Sequence, residues 1–197
     1  MIIGICGKSC SGKSTLTTYL KESKGNNVVC LSIDKVGHNV LEISEVQREL
    51  IKSFGNDIIK NSSVDRKRLG ELVFNSRIEM SKLTDITWKY MQIEIDEFIN
   101  QNQDKIIILD WLLLPITKYF DMCDIKILLD IPYEIRKKRA RLRDNITEEE
   151  FALREKASID FNKEDFDYCL NNNNEEEIKR MVKRIWHVYY TQEVLIQ

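Results

Sequence analysis

Several things are scarce in this chain, and each scarcity excludes something. Two prolines and seven glycines in 197 residues rule out a collagen-like, Pro-rich or Gly-rich linker architecture. The five cysteines (Cys6, Cys10, Cys30, Cys123, Cys169) stand apart with no C-x-x-C pair, and the two histidines do not cluster with them. A disulfide framework and a thiolate metal site are therefore not expected, and a reducing cytoplasm is. Neither sign of charge prevails, with Lys+Arg 30 against Asp+Glu 32, so no global field draws nucleic acid or an anionic membrane. No apolar run is long enough to span a bilayer. The first residues lead straight into an apolar strand pattern, leaving no room for a secretion signal. Repeats are absent, and the length suits one domain with a full core.

What is present begins at once. Met1 to Cys6 (MIIGIC) is a β-branched apolar run that reads as a buried strand. Gly7 to Ser14 (GKSCSGKS) fits the phosphate-loop pattern G-x-x-x-x-G-K-[ST] at every fixed position. From Ser14 to Lys24, Leu16, Tyr19 and Leu20 fall on one helical face. Strand, loop and helix in that order give backbone N–H groups and a helix N-terminus that together hold phosphate. Gly7 and Gly12 supply backbone freedom, Lys13 reaches the β- and γ-phosphates, and Ser14 offers its hydroxyl to Mg²⁺. Lys8, Ser9, Cys10, Ser11, Gly12, Lys13, Ser14 and Thr15 form the expected nucleotide-binding segment. Cys10 is the thiol expected to react with alkylating reagents.

Four further strands are expected at Asn27 to Ile33, Lys105 to Leu109, Ile125 to Leu129 and Tyr168 to Leu170. Near-continuous Ile, Leu and Val implies burial on both faces, and alternation with helices implies a three-layer α/β fold around a five-stranded parallel sheet. Between Gly37 and Asp104 only helical spacing appears, as in Leu69, Leu72, Val73 and Met80, Leu83, Ile86. The expected organisation is one domain. Its core is 1–36, 104–134 and 163–197, with a helical substrate-binding insertion over about 37–103, a lid over about 135–162, and a last helix over Glu175 to Gln197.

Carboxylates sit at the strand ends, where ligands of such sheets bind. Asp34 suits the orientation or deprotonation of an attacking hydroxyl, Asp110 suits Mg²⁺ or its water, and Asp130 reads as a cap of the next helix. The stretch Arg136 to Arg143 (RKKRARLR) lies on a helix that starts near Pro132. Arg136, Arg139 and Arg143 share a face there, where guanidinium groups can stabilise the charge of a transferring phosphoryl group. Thr147 and Glu150 form a capping box for the next helix. Two GTPase-like fragments, Asp34 to Gly37 (DKVG) and Asn162 to Asp165 (NKED), are misplaced for that role. The first leaves no room for a switch segment, and the second is not at the end of a buried strand.

On these residues the chain resembles the dephospho-CoA kinase family. The resemblance rests on Gly7 to Thr15, on Asp34 and His38, on DRKRLGELVF (Asp65 to Phe74), and on Arg139, Arg143 and Asp144 with Arg154. A late echo spans Asp167 to Asn172. It implies transfer of the ATP γ-phosphate, with Mg²⁺, to the ribose 3′-hydroxyl of dephospho-CoA, a small-molecule substrate. Asp34, Lys13, Arg139 and Arg143 are then catalytic, Asn172 joins the nucleotide site, and Ser14 and Asp110 hold the metal. Asp34, His38, Trp88, Asp110 and Trp111 meet the acceptor. A cytoplasmic monomer or small homo-oligomer is expected, without nucleic acid or membrane. Departures stand at Lys8 and Cys10, where the family has Gly, and at Ser32, where it has an acidic residue. The stretches Ile86 to Lys89 and Asp110 to Pro115 also differ. A nucleoside or nucleotide kinase of the same fold, or a non-catalytic nucleotide-binding protein, is the alternative.

Overall fold

The computed structural model describes residues 1–24, 27–74, 76–156, 158–171 and 174–196, the last nine of them as backbone only. The chain gathers into two compact units, Met1–Cys30 with Gln103–Gln197, and Leu31–Asn102. It opens with β1 (Ile2–Gly7), α1 (Lys13–Lys24) and β2 (Val28–Ser32). The helical unit follows with α2 (Ile33–Val40), α3 (Ser44–Phe54), β3 (Ile59–Lys60), β4 (Ser63–Val64), α4 (Arg66–Val73) and α5 (Arg77–Gln101). The chain then runs through β5 (Ile106–Asp110), α6 (Lys118–Asp121), β6 (Ile125–Leu129), α7 (Tyr133–Asp144), α8 (Glu148–Lys156), β7 (Tyr168–Leu170) and α9 (Glu175–Ile196).

The five-stranded sheet has the order β2-β5-β1-β6-β7. β1 pairs in parallel with β5 and β6, in the registers Ile5↔Asp110 and Gly7↔Leu129, and β6 pairs in parallel with β7. The three-layer parallel α/β arrangement expected of the apolar runs is therefore present. All five residues of β5 are buried, as a strand covered on both faces requires. Ile3, Ile5, Ile108, Ile127 and Leu129 join Leu16 and Leu20 of α1 and Ile178, Met181 and Ile185 of α9 in one core. Placing β1 in the middle puts the loop that follows it near the centre of the strand ends.

The helical unit has its own core of Leu41, Val46, Leu50, Ile58, Val64, Leu69, Val73 and Ile86. Asp65 caps α4 by accepting from the backbone N–H of Lys67 and Arg68, both at 3.1 Å. Ser76 caps α5, accepting from the Glu79 N–H at 3.3 Å. Two expectations need correction here. Ile33 does not end β2 but opens α2, because Ile33, Val36 and Val40 share its buried face. The stretch 37–103 also contains a two-residue hairpin, β3–β4. Asn61 (φ 51°) and Ser62 (φ 65°) turn it with both residues left-handed, the backbone of a type I′ turn. Among the described residues no helix is long and apolar enough to cross a membrane.

Candidate active site

The phosphate loop is shaped by steric demands at three positions. Gly7 has φ 152°, and a Cβ there would lie 2.6 Å from Ser11 Oγ and 2.9 Å from the Leu129 carbonyl, so no side chain fits. Gly12 (φ 99°) and Cys10 (φ 61°) are also left-handed. For Cys10 that conformation costs about 1 kcal/mol or more, a cost that glycine would not carry. The Ser11 N–H donates to the Lys8 carbonyl at 3.2 Å, and the Leu16 N–H to the Gly12 carbonyl at 3.1 Å as α1 begins. The first turn of α1 carries no acidic residue, so its positive end is open to phosphate. Lys13 Nζ folds back and donates to the Gly7 carbonyl at 2.9 Å.

α7 borders this loop. Arg139 Nη1 donates to the Cys10 carbonyl at 3.5 Å, and Arg143 Nη2 lies 3.4 Å from Cys10 Sγ. Arg143 also grips Asp144 at 2.7 and 3.0 Å, and Arg154 of α8 reaches the same carboxylate at 2.8 Å. The Arg143 guanidinium first, and Arg154 after it, hold the Asp144 carboxyl down at about 2 against a partial burial that opposes them. Asp144 thereby ties the end of α7 to α8. A cavity of about 440 Å³ opens between Cys10, Gly12 and Thr15 of the loop, Arg139, Leu142 and Arg143 of α7, and Ile178 of α9. A larger hollow of about 690 Å³ lies among Lys137, Lys138, Arg141 and Thr147, on the opposite face of α7. That hollow touches no residue of the phosphate loop.

Arg136 is a correction. It shares a helical face with Arg139 and Arg143, but it is 3% exposed and packs against the rings of Tyr133 and Phe151, which also touch each other. Its Nε donates to the Ile131 carbonyl at 2.8 Å, so it is built into the fold and does not line the cavity. Asp130 is another: it does not cap α7, whose N-cap is Pro132 without a side-chain bond, but pairs with Lys163 at 2.5 Å. Thr147 and Glu150 do form the expected capping box, with bonds of 3.2 and 2.8 Å. Asn162 to Asp165 forms a short 3-10 turn ahead of β7, which is no place for a base reader. Of the thiols, Cys169 is the exposed one and Cys10 is half-buried, so Cys10 is not singled out by access.

Asp110 closes β5 and is buried. Burial and Cys123 push the Cys6 thiol far up, with Lys13 opposing and Asp110 adding to the shift, so Lys13 and Asp110 both act on the end of β1. Trp111 is buried and Trp88 half-buried. In the helical unit Asp34 and His38 lie one turn apart on the exposed face of α2. Although His38 is on that face, partial burial of the ring lowers its pKa, the Arg66 guanidinium lowers it further, and Asp34 opposes both. Arg66 and Glu155 were not expected as site residues. The first had only its place in the Asp65 to Phe74 stretch to mark it, and the second contacts a residue 147 positions away, which no spacing rule reaches. Asn172 lies outside the described residues.

A family model described as dephospho-CoA kinase matches residues 1–179. The chain belongs to the dephospho-CoA kinase family. A dephospho-CoA kinase of Fusobacterium nucleatum is 35% identical over 188 residues, covering 93% of this chain and 96% of its own. Another from Aquifex aeolicus is 30% identical over 190 residues, covering 93% and 95%. The crystal structure of TT1252 from Thermus thermophilus is similar with a TM-score of 0.78 at 25% identity, covering 95% of this chain and 96% of that one. As a member of a dephospho-CoA kinase family the chain binds ATP, and the loop with its α7 guanidiniums is the part of the molecule chemically suited to the triphosphate.

Proposed function

We propose that the chain transfers the γ-phosphate of ATP to the ribose 3′-hydroxyl of dephospho-CoA, giving coenzyme A and ADP. The observation that carries this reading is the family match over 1–179, set on a phosphate loop whose glycines and α7 arginines are suited to a polyphosphate. In the proposed scheme the 3′-oxygen attacks the γ-phosphorus, its bond to phosphorus forms as the bond to the β,γ-bridging oxygen breaks, and the hydroxyl proton passes to Asp34. Asp34 is exposed in the first turn of α2, whose N-cap is Ser32. It has no hydrogen-bond partner among the described residues, which leaves it available as a base.

Lys13 takes the charge growing on the leaving ADP, exchanging the Gly7 carbonyl for phosphate oxygens. Arg139 and Arg143 meet the equatorial oxygens, where charge is spread in the transition state. The donors present suit Mg²⁺, a hard cation that takes oxygen ligands. The Ser14 hydroxyl is exposed with no hydrogen-bond partner among the described residues, and Asp110 offers a buried carboxylate at the end of β5. Bound there, the ion would neutralise charge on the β- and γ-phosphates. His38, Trp88 and Trp111 are the proposed acceptor contacts, with about 37–103 as the acceptor-binding insertion and about 135–162 as the lid.

The test is a mass-spectrometric screen with ATP and Mg²⁺ over dephospho-CoA, nucleosides, nucleoside monophosphates and shikimate. Coenzyme A as the dominant product is expected. Faster phosphorylation of any other acceptor would overturn the acceptor, and bound nucleotide with no transfer would indicate a binding protein.

A further inference from the structure

Three charged side chains that the phosphoryl-transfer scheme leaves unused meet beside the phosphate loop. Arg136 is buried at 3% exposure and donates Nη1 and Nη2 to the two oxygens of Glu155 on α8, at 2.7 and 2.9 Å. Lys8, the second residue of the loop, donates Nζ to Glu155 Oε1 at 3.0 Å and to Asp160 Oδ1 at 3.2 Å. Arg136 Nη1 also reaches the Ser9 carbonyl at 3.4 Å. One carboxylate therefore joins the loop, α7 and α8. Its pKa is lowered by Arg136 first and then by Lys8, against burial, so it stays ionised through the neutral range. At Lys8, burial would lower the pKa but the bonds to Glu155 and Asp160 outweigh it.

A planar trans peptide sets its C=O and the following N–H on opposite sides. Holding the Ser9 carbonyl towards Arg136 therefore aims the Cys10 N–H the other way. The bond from Arg139 to the Cys10 carbonyl holds the next peptide as well. Lys8 anchors the start of this arm and Cys10 its strained end. We propose that Glu155 is a positioning residue for the nucleotide, fixing the arm Lys8–Cys10 through Lys8 and Arg136 so that the Cys10 amide is set for phosphate. The proposal rests on ATP occupying the loop and does not depend on the acceptor.

The substitution Glu155→Gln keeps the shape and removes the charge that both cations share. ATP affinity, measured by titration well below the melting temperature, falls about tenfold, the scale of one lost charge-assisted hydrogen bond. Amide exchange at Cys10 in the ATP-free protein speeds up, while the turnover number at saturating ATP changes less than affinity does. Glu155→Asp, still charged, recovers part of the affinity. Lys8→Met weakens ATP in the same direction, and the double variant is no weaker than Glu155→Gln alone because both act through one arm. A lower melting temperature with unchanged affinity and exchange would reduce Glu155 to a fold clamp and overturn the proposal. Tighter ATP binding would also overturn it, by making Glu155 a competitor of the nucleotide. If Glu155→Gln does not fold, Lys8→Met at the loop surface carries the same expectation and the same refutation. Because the readout is ATP binding, it stays decisive even if dephospho-CoA is not the acceptor.

Discussion

Around the phosphate loop, Lys8, Lys13, Arg136, Arg139 and Arg143 each have a carboxylate or carbonyl within reach. On α2 of the helical unit, Asp34 stands exposed without a hydrogen-bond partner among the described residues, and His38 carries a lowered pKa. One region pairs its charges within the protein, and the other leaves them uncommitted. The physical reason is the cost of disorder against the cost of burial. A polyphosphate demands many donors in one fixed geometry, which is achieved by ordering them beforehand. A proton acceptor needs one carboxylate that is not already committed, and an exposed carboxylate costs little in stability.

Lys13→Ala breaks the first region most severely: ATP affinity and turnover both drop, turnover by about a hundredfold or more. Binding and steady-state assays check it. Asp34→Asn should cut turnover by about a hundredfold, the usual scale for a lost general base, yet leave ATP affinity nearly intact. It should also leave thermal stability within about 0.5 kcal/mol. If activity is retained, Asp34 is not the base and Asp110 takes its place as the candidate. Arg143→Ala or Arg139→Ala should lower turnover by about tenfold and weaken ATP less, since the charge they meet is largest in the transition state. Exchange of residues 136–144 with and without a non-hydrolysable ATP analogue tests the lid, and equal protection in both states rules out nucleotide gating.

The smallest expected effect is at Asp144. Its carboxyl is held at about 2, below the ordinary 3.8. The stability it contributes is therefore present above pH 4 and lost as the pH falls towards 2. Asp144→Asn should cost about 1 kcal/mol or less at pH 7 and clearly less near pH 2, where the carboxyl is about half protonated, a difference that denaturation at the two pH values measures.

What could be read beforehand was what repeats a general solution. Apolar runs gave five strands, Gly7 to Ser14 gave the loop, and Thr147 with Glu150 gave a helix start. The hairpin escaped because Asn61-Ser62 lacks the glycine that usually marks such a turn, although both residues adopt its backbone. Arg136 was misassigned because helical spacing shows which residues share a face and not what covers that face. Here the rings of Tyr133 and Phe151 and the Glu155 carboxylate cover it. Asp130 found a cation at Lys163, which no local rule could have offered it.

The order of β2-β5-β1-β6-β7 has a consequence for a chain made from its first residue onward. β1 is synthesised before both its neighbours, which are residues 106–110 and 125–129. The stretch 31–102 is contiguous and makes its own core from within itself. Such local contacts close early, and long-range parallel pairing closes late. During synthesis the helical unit can therefore be complete while the first strand still lacks both partners. The most recognisable motif of the sequence is thus made before either partner of its strand and becomes a binding site only once β5 and β6 have appeared.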